Sequence, residues 1–97
     1  MDDMFYYNEL YDIYANLLTD KQRAYYEDYY FNNLSLGEMA INYNVSRNAI
    51  FKQLKITVSK LLEFEDKLGF LEKIKKFSEV VSRSRDKNIK EEFDNLF

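Results

Sequence analysis

Residues 35–54 read SLGEMAINYNVSRNAIFKQL, and this stretch predicts two helices joined by a tight turn. Ser35 and Glu38 have the S-x-x-E spacing of a capping box, which marks the start of the first helix. Ser46 is a suitable N-cap for the second helix. Between them, Asn44 is among the few non-glycine residues that tolerate the left-handed conformation of a sharp turn. The spacing of these signals is typical of a DNA-binding helix-turn-helix.

Small and apolar residues complete the motif, which we predict within residues 35–55. Ala40 is small enough to let the two helices approach closely, and apolar residues on both sides of the turn are predicted to hold the helices together. Those apolar residues are Met39, Tyr43, Val45 and Ile50. We therefore assign a structural role in the motif to Ser35, Glu38, Ala40, Asn44, Val45, Ser46 and Ile50.

The apolar periodicity of the rest of the chain predicts an all-α fold of about five helices in one domain, residues 1–97. A first helix is predicted at about residues 3–17. Thr19 and Gln22 form a second capping box before a helix at about residues 20–31. The predicted buried stripe of the first helix is Tyr6, Leu10, Ile13, Tyr14 and Leu17. The tyrosines of the second, Tyr25, Tyr26, Tyr29 and Tyr30, could stack on bases, but packing is the favoured interpretation.

The second helix of the motif is predicted to continue to about residue 67, because apolar residues recur along it at four- and three-residue intervals. Those residues are Ile50, Leu54, Thr57, Leu61, Phe64 and Leu68. Gly69 is the expected C-cap. A helical C-terminal extension follows, with one apolar face formed by Phe70, Ile74, Phe77 and Val81. The charged tail, residues 82–97, either forms a short helix or stays flexible. Because the faces at 70–81 and 89–97 lack a partner within the chain, we expect a homodimer through the C-terminal helices.

The charge is distributed unevenly along the chain. Residues 1–38 contain eight acids and two bases, whereas residues 39–62 contain no acid. The bases of this acid-free stretch are Arg47, Lys52, Lys55 and Lys60. The coincidence with the motif favours an anionic partner over the alternative of an ordinary solvated helix face.

The exposed start of the second motif helix provides the predicted binding residues. Arg47 and Asn48 suit guanine and adenine edges, and Phe51 suits a thymine methyl group. Lysines suit phosphates. The full predicted set for nucleic-acid or partner binding is Arg47, Asn48, Phe51, Lys52, Lys55, Lys21 and Arg23. The alternative is that Arg47 only solvates the helix and Ser46 only caps it.

Residue composition argues against catalysis. The chain has no histidine and no cysteine, so the commonest acid–base groups, nucleophiles and metal ligands are missing. We expect no enzymatic activity, no cofactor and no metal. No segment is long and apolar enough to cross a bilayer, and the N-terminus lacks the basic region of a signal peptide. We therefore expect a cytoplasmic protein that does not bind membranes.

Residues 17–62 resemble the promoter-reading fourth region of bacterial sigma factors. Over about residues 10–76 the chain resembles the YlxM/p13 family more closely still. The matching motifs are Leu18-Thr19 with Lys21-Gln22-Arg23, Leu34-Ser35-Leu36-Gly37-Glu38 with Ala40, Val45-Ser46-Arg47, and Lys67-Leu68-Gly69. Two positions depart from the pattern: Gln53 stands where an aliphatic residue is usual, with Leu54 able to replace it, and Phe51 is unusual on a DNA-reading helix.

The resemblance implies an accessory or regulatory factor of the signal recognition particle pathway, with the particle's GTPase or its RNA as partner. The residues themselves leave two alternatives open. One is a DNA-binding transcriptional regulator that binds double-stranded DNA. The other is a purely structural interaction module whose binding does not depend on the basic residues.

Overall fold

The computed structural model describes residues 3–83 and 87–96. These residues form six α-helices and one short 3-10 turn. In chain order they are α1 (Met4–Tyr14), the 3-10 turn (Ala15–Leu17), α2 (Asp20–Tyr30), α3 (Leu36–Tyr43), α4 (Arg47–Leu68), α5 (Phe70–Ser82) and α6 (Lys87–Asp94). The all-α prediction is confirmed. The prediction of about five helices falls one short, because part of the charged tail forms α6.

The helices α2, α3 and α4 begin where the capping signals of the sequence predicted. Thr19 and Ser35 each accept a hydrogen bond from the backbone three residues on, and the side chains of Gln22 and Glu38 accept one in return. This bond from the Ser35 N–H lowers the pKa of Glu38. Ser46 caps α4 by accepting from the Ala49 N–H at 3.0 Å. Both helices of the motif are therefore capped by residues within three positions of their start, without contacts from distant residues.

The end of α1 differs from the prediction, and the difference changes which residues are buried. The α-helix stops at Tyr14, and the Leu18 N–H donates to the Ala15 carbonyl to close a tighter 3-10 turn. This turn breaks the 3.6-residue periodicity. Leu18 is therefore buried, while Leu17, which was predicted to be buried, is 56% exposed. Tyr6 is also exposed, and Tyr11 is buried beside Leu10 in its place.

Two groups of buried residues form the interior, and the long helix α4 contributes to both. The motif core joins α2, α3 and the first half of α4, and it consists of Tyr25, Met39, Ile50 and Leu54. The body core joins α1, α2, the second half of α4 and α5, and it consists of Leu10, Tyr11, Tyr14, Leu18, Tyr26, Leu61 and Leu71. Since α4 has 22 residues, it is about 33 Å long, enough to span both.

Tyrosine hydroxyls at the edges of these cores donate to acidic or amide side chains. Tyr14 donates to Glu65 at 2.6 Å and Tyr26 donates to Asn8 at 2.6 Å. Tyr11 donates to Glu27, and Tyr43 donates to Asp28. The bond to Asp28, with burial second, raises the pKa of Tyr43 to about 12. In the part of the chain that the structure describes, every buried side-chain polar atom has a partner.

Glu65 fixes the angle between α4 and α5. Gly69 ends α4 in the left-handed conformation, with φ of 63°, as its position predicted. The carboxylate of Glu65 then accepts from the backbone N–H groups of Leu71 and Glu72, which are two of the free donors in the first turn of α5. The same carboxylate accepts from Tyr14. The joint is thus tied to both α1 and α5.

The apolar face predicted for the C-terminal extension is only partly covered within the chain. Val81 is buried and Ile74 is half-buried, whereas Phe70 and Phe77 are exposed. The ring of Phe77 nevertheless contacts that of Phe93 of α6, at 5.2 Å between centroids. Leu68, predicted as part of the buried seam of α4, is also exposed. Phe97, the last residue of the predicted tail face, lies outside the described residues.

Candidate nucleic-acid interface

The first half of α4 is held in place by α3 and by the turn between them. Asn44 adopts the predicted left-handed conformation, with φ of 55°. Ile50 is fully buried against Met39, and Ala40 and Tyr43 pack on the same core. Val45 differs from the prediction. Its side chain is 38% exposed, and it supports the turn through its backbone N–H, which donates to the Ala40 carbonyl.

Arg47, the first residue of α4, is folded across the motif onto α3. A Cβ atom built on Gly37 would lie 3.0 Å from Arg47 Nη2 and 3.2 Å from Cζ. The guanidinium therefore lies directly on the backbone of Gly37, in the first turn of α3, where a larger residue would displace it. The side chain remains exposed overall. It is thus available to a ligand but has a defined resting position.

The next predicted binding residues form one exposed surface with Arg47. Asn48, Phe51, Lys52 and Lys55 are all exposed. Phe51 is 49% exposed, and Lys55 Nζ lies 5.6 Å from the centroid of its ring, a cation–π distance. We call these five residues the basic surface of α4. None of its three bases forms an ion pair with a described residue.

The second half of α4 has a different electrostatic character. Glu63 pairs with Lys67 at 2.9 Å and with Lys60 at 3.8 Å. These contacts lower the pKa of Glu63, chiefly through its hydrogen bond with Lys67. Lys60, which the sequence grouped with the acid-free stretch, is therefore partly neutralised. The unneutralised positive charge of α4 is confined to its first half, beside the turn.

The two basic residues predicted on α2 occupy different environments. Arg23 donates to the carbonyls of Leu18 at 2.9 Å and Ala15 at 3.3 Å, and it pairs with Asp20. Its guanidinium thus ties the 3-10 turn to α2. Lys21 lies 5.6 Å from the ring centroid of Tyr25, a residue of the motif core. Lys21 keeps a free ammonium group for a ligand, whereas Arg23 is already held by the fold.

Comparison with known proteins agrees with this geometry. A family model described as "Putative helix-turn-helix protein, YlxM / p13 like" (UPF0122) matches residues 1–96. The chain belongs to this family. Relatives of the same family name are found in several bacteria. A UPF0122 protein of Halalkalibacterium halodurans is 43% identical over 79 residues, which cover 81% of this chain and 72% of that protein.

Two further relatives have a similar identity to the chain and cover a similar share of it. A UPF0122 protein of Malacoplasma penetrans is 46% identical over 80 residues, which cover 82% of this chain and 75% of that protein. One of Bacillus thuringiensis is 42% identical over 88 residues, or 91% of this chain and 80% of that protein. The match therefore extends well beyond the helix-turn-helix, into the helices that pack against it.

For this member of the YlxM/p13-like family, the sequence did not predict that two further residues, Gly37 and Tyr29, lie next to the basic surface of α4. Gly37 leaves room for Arg47, and the signal was present, since glycine is unfavourable within a helix and its place in the first turn of α3 needs a reason. Tyr29 was grouped with packing residues, yet it is 38% exposed near Phe51. Tyr25 and Tyr26 are buried, which confirms the packing interpretation for those two.

Two kinds of site are absent from the part of the chain that the structure describes. Among the described residues, no group of three or more acidic, histidine or cysteine residues is placed to hold a metal ion. No helix formed by them has both the length and the apolar character needed to cross a membrane.

Proposed function

We propose that this protein is a regulatory binding protein without enzymatic activity, and that it acts in the signal recognition particle pathway. Its partner in this proposal is the particle's RNA or its GTPase, bound through the basic surface of α4. The observation that carries the proposal is the exposure of three bases and no acid on one face at the start of α4. The choice of pathway rests on the resemblance to the YlxM/p13 family.

The charge of the surface sets an expectation for binding. Arg47, Lys52 and Lys55, together with Lys21, which lies over the ring of Tyr25 in the motif core, carry four positive charges and would neutralise about four phosphates. A ligand bound in this way should lose roughly a hundredfold in affinity between about 50 and about 200 mM salt. The acids of α1 and α2 repel phosphates and so weaken non-specific binding of any nucleic acid. Binding to a folded RNA or to a specific acidic protein face fits these magnitudes best.

The test is capture of purified signal recognition particle by the tagged protein, with the RNA alone and the GTPase alone as separate arms. The triple variant Arg47→Ala, Lys52→Ala, Lys55→Ala should abolish capture while its far-UV circular dichroism is unchanged. A second triple variant, Lys67→Ala, Lys73→Ala, Lys76→Ala, removes the same charge from exposed positions elsewhere and should still capture. Equal capture by wild type and the first variant would refute the proposal.

A DNA-binding transcriptional regulator is the second candidate. It is favoured by Arg47 and Asn48, which are exposed on the first turn of α4, where a recognition helix contacts base edges. This candidate requires sequence-selective binding of duplex DNA. A binding-site selection that enriches no sequence above random duplex would remove it.

We also propose that the protein self-associates through its C-terminal helices. Phe77 and Val80 of α5 and Leu96 beyond α6 are all largely exposed, and apolar side chains so placed are usually covered by a partner. Sedimentation equilibrium measures this directly. A monomer throughout the micromolar range, or a dimer unaffected by Phe77→Glu with Val80→Glu, would refute it.

A further inference from the structure

An aromatic groove adjoins the basic surface of α4 and shares Phe51 and Lys55 with it. It lies where α1 and α2 meet α4, and its volume is about 430 Å³. Tyr7, Tyr29, Tyr30 and Phe51 contribute rings to its walls, and Lys55 stands among them. The volume falls within the range of roughly 300 to 1,000 Å³ that small-molecule sites occupy. We call it the α2–α4 groove.

The rings of this groove are supported from within. Tyr30 stacks on the fully buried Tyr26 at 4.4 Å between centroids, and Tyr29 meets Tyr30 edge to face at 5.0 Å and 85°. Tyr29 is therefore held by a chain of rings that reaches the body core. Phe51 projects from α4, with about half of its surface free. The two exposed rings thus sit on separate rigid helices, so little ordering is needed when a planar ligand binds.

The charge of the groove points to an anion. Lys55 is the one lining residue with a formal charge at neutral pH, and none of the lining residues is acidic. Lys55 and Ser59 also line an adjoining depression on α4, together with Lys52, Ile56, Lys60 and Glu63. Lys55 thus stands at the boundary between the groove and this depression, in which Lys52 also lies. A planar, partly apolar ligand that carries negative charge beside its ring complements these walls better than a purely apolar one does.

We propose that the α2–α4 groove holds one unpaired nucleotide of a nucleic acid. Its base stacks against the rings of Phe51 and Tyr29, and the flanking phosphates meet Lys55 and Lys52. A base within a duplex cannot reach the groove, so the protein should prefer nucleic acids that contain a bulge or loop. This inference rests on the nucleic-acid mode of the proposed function, which it sharpens by distinguishing unpaired from paired strands.

The probe for the test is an RNA hairpin with one bulged 2-aminopurine, compared with the same hairpin in which that base is paired. Because the protein contains no tryptophan, the probe is excited without interference from the protein. The wild type should bind the bulged hairpin about tenfold more tightly than the paired one, and the probe's fluorescence should change on stacking. A DNA hairpin with the same bulge shows whether the sugar matters.

Substitutions of the groove's rings test whether the preference for the bulged hairpin arises in the groove. Phe51→Ala and Tyr29→Ala should each remove most of the tenfold preference, whereas Tyr29→Phe, which keeps the ring, should retain it. Ile56→Ala is the matched control, because Ile56 is an exposed apolar residue of α4 outside the groove. Phe51→Leu provides a second variant with an apolar side chain and no ring, should alanine disturb the helix.

The outcomes separate this inference from the proposed function. Equal affinity for the two hairpins, or an unchanged preference in both Phe51→Ala and Tyr29→Ala, would refute nucleotide binding in the groove and leave the proposed function intact. Binding of neither hairpin, with capture of the particle's GTPase retained, would likewise overturn only the groove. Binding of neither hairpin together with loss of all capture would overturn both.

Discussion

The helix-turn-helix and the body differ in the sequence distance that their stabilising contacts span. In the motif, Ser35 bonds Glu38, Ser46 bonds Ala49, and Val45 bonds Ala40, all between residues no more than five positions apart. In the body, the side chain of Tyr14 bonds Glu65, which lies 51 residues away. The caps and the turn that present the basic surface are therefore encoded locally, whereas the packing that supports them depends on more distant residues, including the bond from Tyr43 to Asp28 of α2. Both α2 and α4 contribute to the two cores.

The most direct test of this comparison is to remove one side chain from the motif core and one from the body core. Ile50 and Leu61 are both fully buried on α4, one in the motif core and one in the body core. Ile50→Ala and Leu61→Ala should each lower the free energy of unfolding by about 3 kcal/mol, through lost burial and the cavity left behind. Because α4 runs through both cores, we expect a single cooperative transition in urea, followed by far-UV and near-UV circular dichroism.

The matched control for this pair is Leu62→Ala. Leu62 is the neighbour of Leu61 but is exposed, so the same chemical change should alter stability by less than about 0.5 kcal/mol. Two separate transitions, with Ile50→Ala shifting only one of them, would show that the motif folds independently and would contradict the single-domain prediction.

A smaller effect is expected at the joint between α4 and α5, which belongs to the body alone. Burial raises the pKa of Glu65, but the bonds donated by Tyr14, Leu71 and Glu72 outweigh it, so the pKa is lowered overall. The stability that Glu65 contributes is therefore complete above its ordinary value of 4.5 and lost as the pH falls through the lowered value. Glu65→Gln should cost about 1–2 kcal/mol at neutral pH.

The measurement is urea unfolding at a series of pH values from neutral to acid. The free energy of unfolding of Glu65→Gln should therefore fall less on acidification than that of the wild type. Glu79→Gln serves as the control, since, among the described residues, the Glu79 carboxylate bonds only to the exposed Arg83 at the end of its own helix. An identical pH dependence in wild type and Glu65→Gln would show that the joint is not held by this carboxylate.

The smallest effects should come from the two glycines, with opposite signs in the two halves. Gly37→Ala favours α3, and its new Cβ needs only a small shift of the flexible end of Arg47, so stability should rise by about 0.5 kcal/mol. Gly69→Ala strains a left-handed position and should lower stability by about 1 kcal/mol. Urea unfolding measures both, and the Arg47 Nε–H NMR signal reports its displacement. A loss of stability in Gly37→Ala would mean that Arg47 cannot move aside.

Local signals predicted the helix boundaries better than they predicted burial. Thr19, Ser35, Ser46 and Gly69 were all identified from sequence, because caps involve residues only a few positions apart. Leu17 was misjudged because a periodicity argument assumes an unbroken α-helix, and the 3-10 turn after Tyr14 breaks it. That turn is held partly by Arg23 from the next helix.

The candidate site divides in the same way. The exposure of Arg47, Lys52 and Lys55 followed from an acid-free stretch on a helix that starts after a tight turn. The contact of Arg47 with Gly37 and the place of Tyr29 beside Phe51 did not follow, since each depends on the angle at which two helices cross. The groove is consequently a property of packing between helices and not of any one motif.

The sequence by itself determined that this protein is helical, where its motif helices start, and that residues 39–62, which include the start of the second motif helix, contain four bases and no acid. These properties depend on backbone hydrogen bonds and side chains within one or two turns of each other. Only the tertiary structure decided which tyrosines are buried, that Arg23 is held by the fold while Lys55 is free of ion pairs, and that Phe51 and Tyr29 face one groove. Those outcomes depend on contacts between distant residues, which form only when the helices pack around α4.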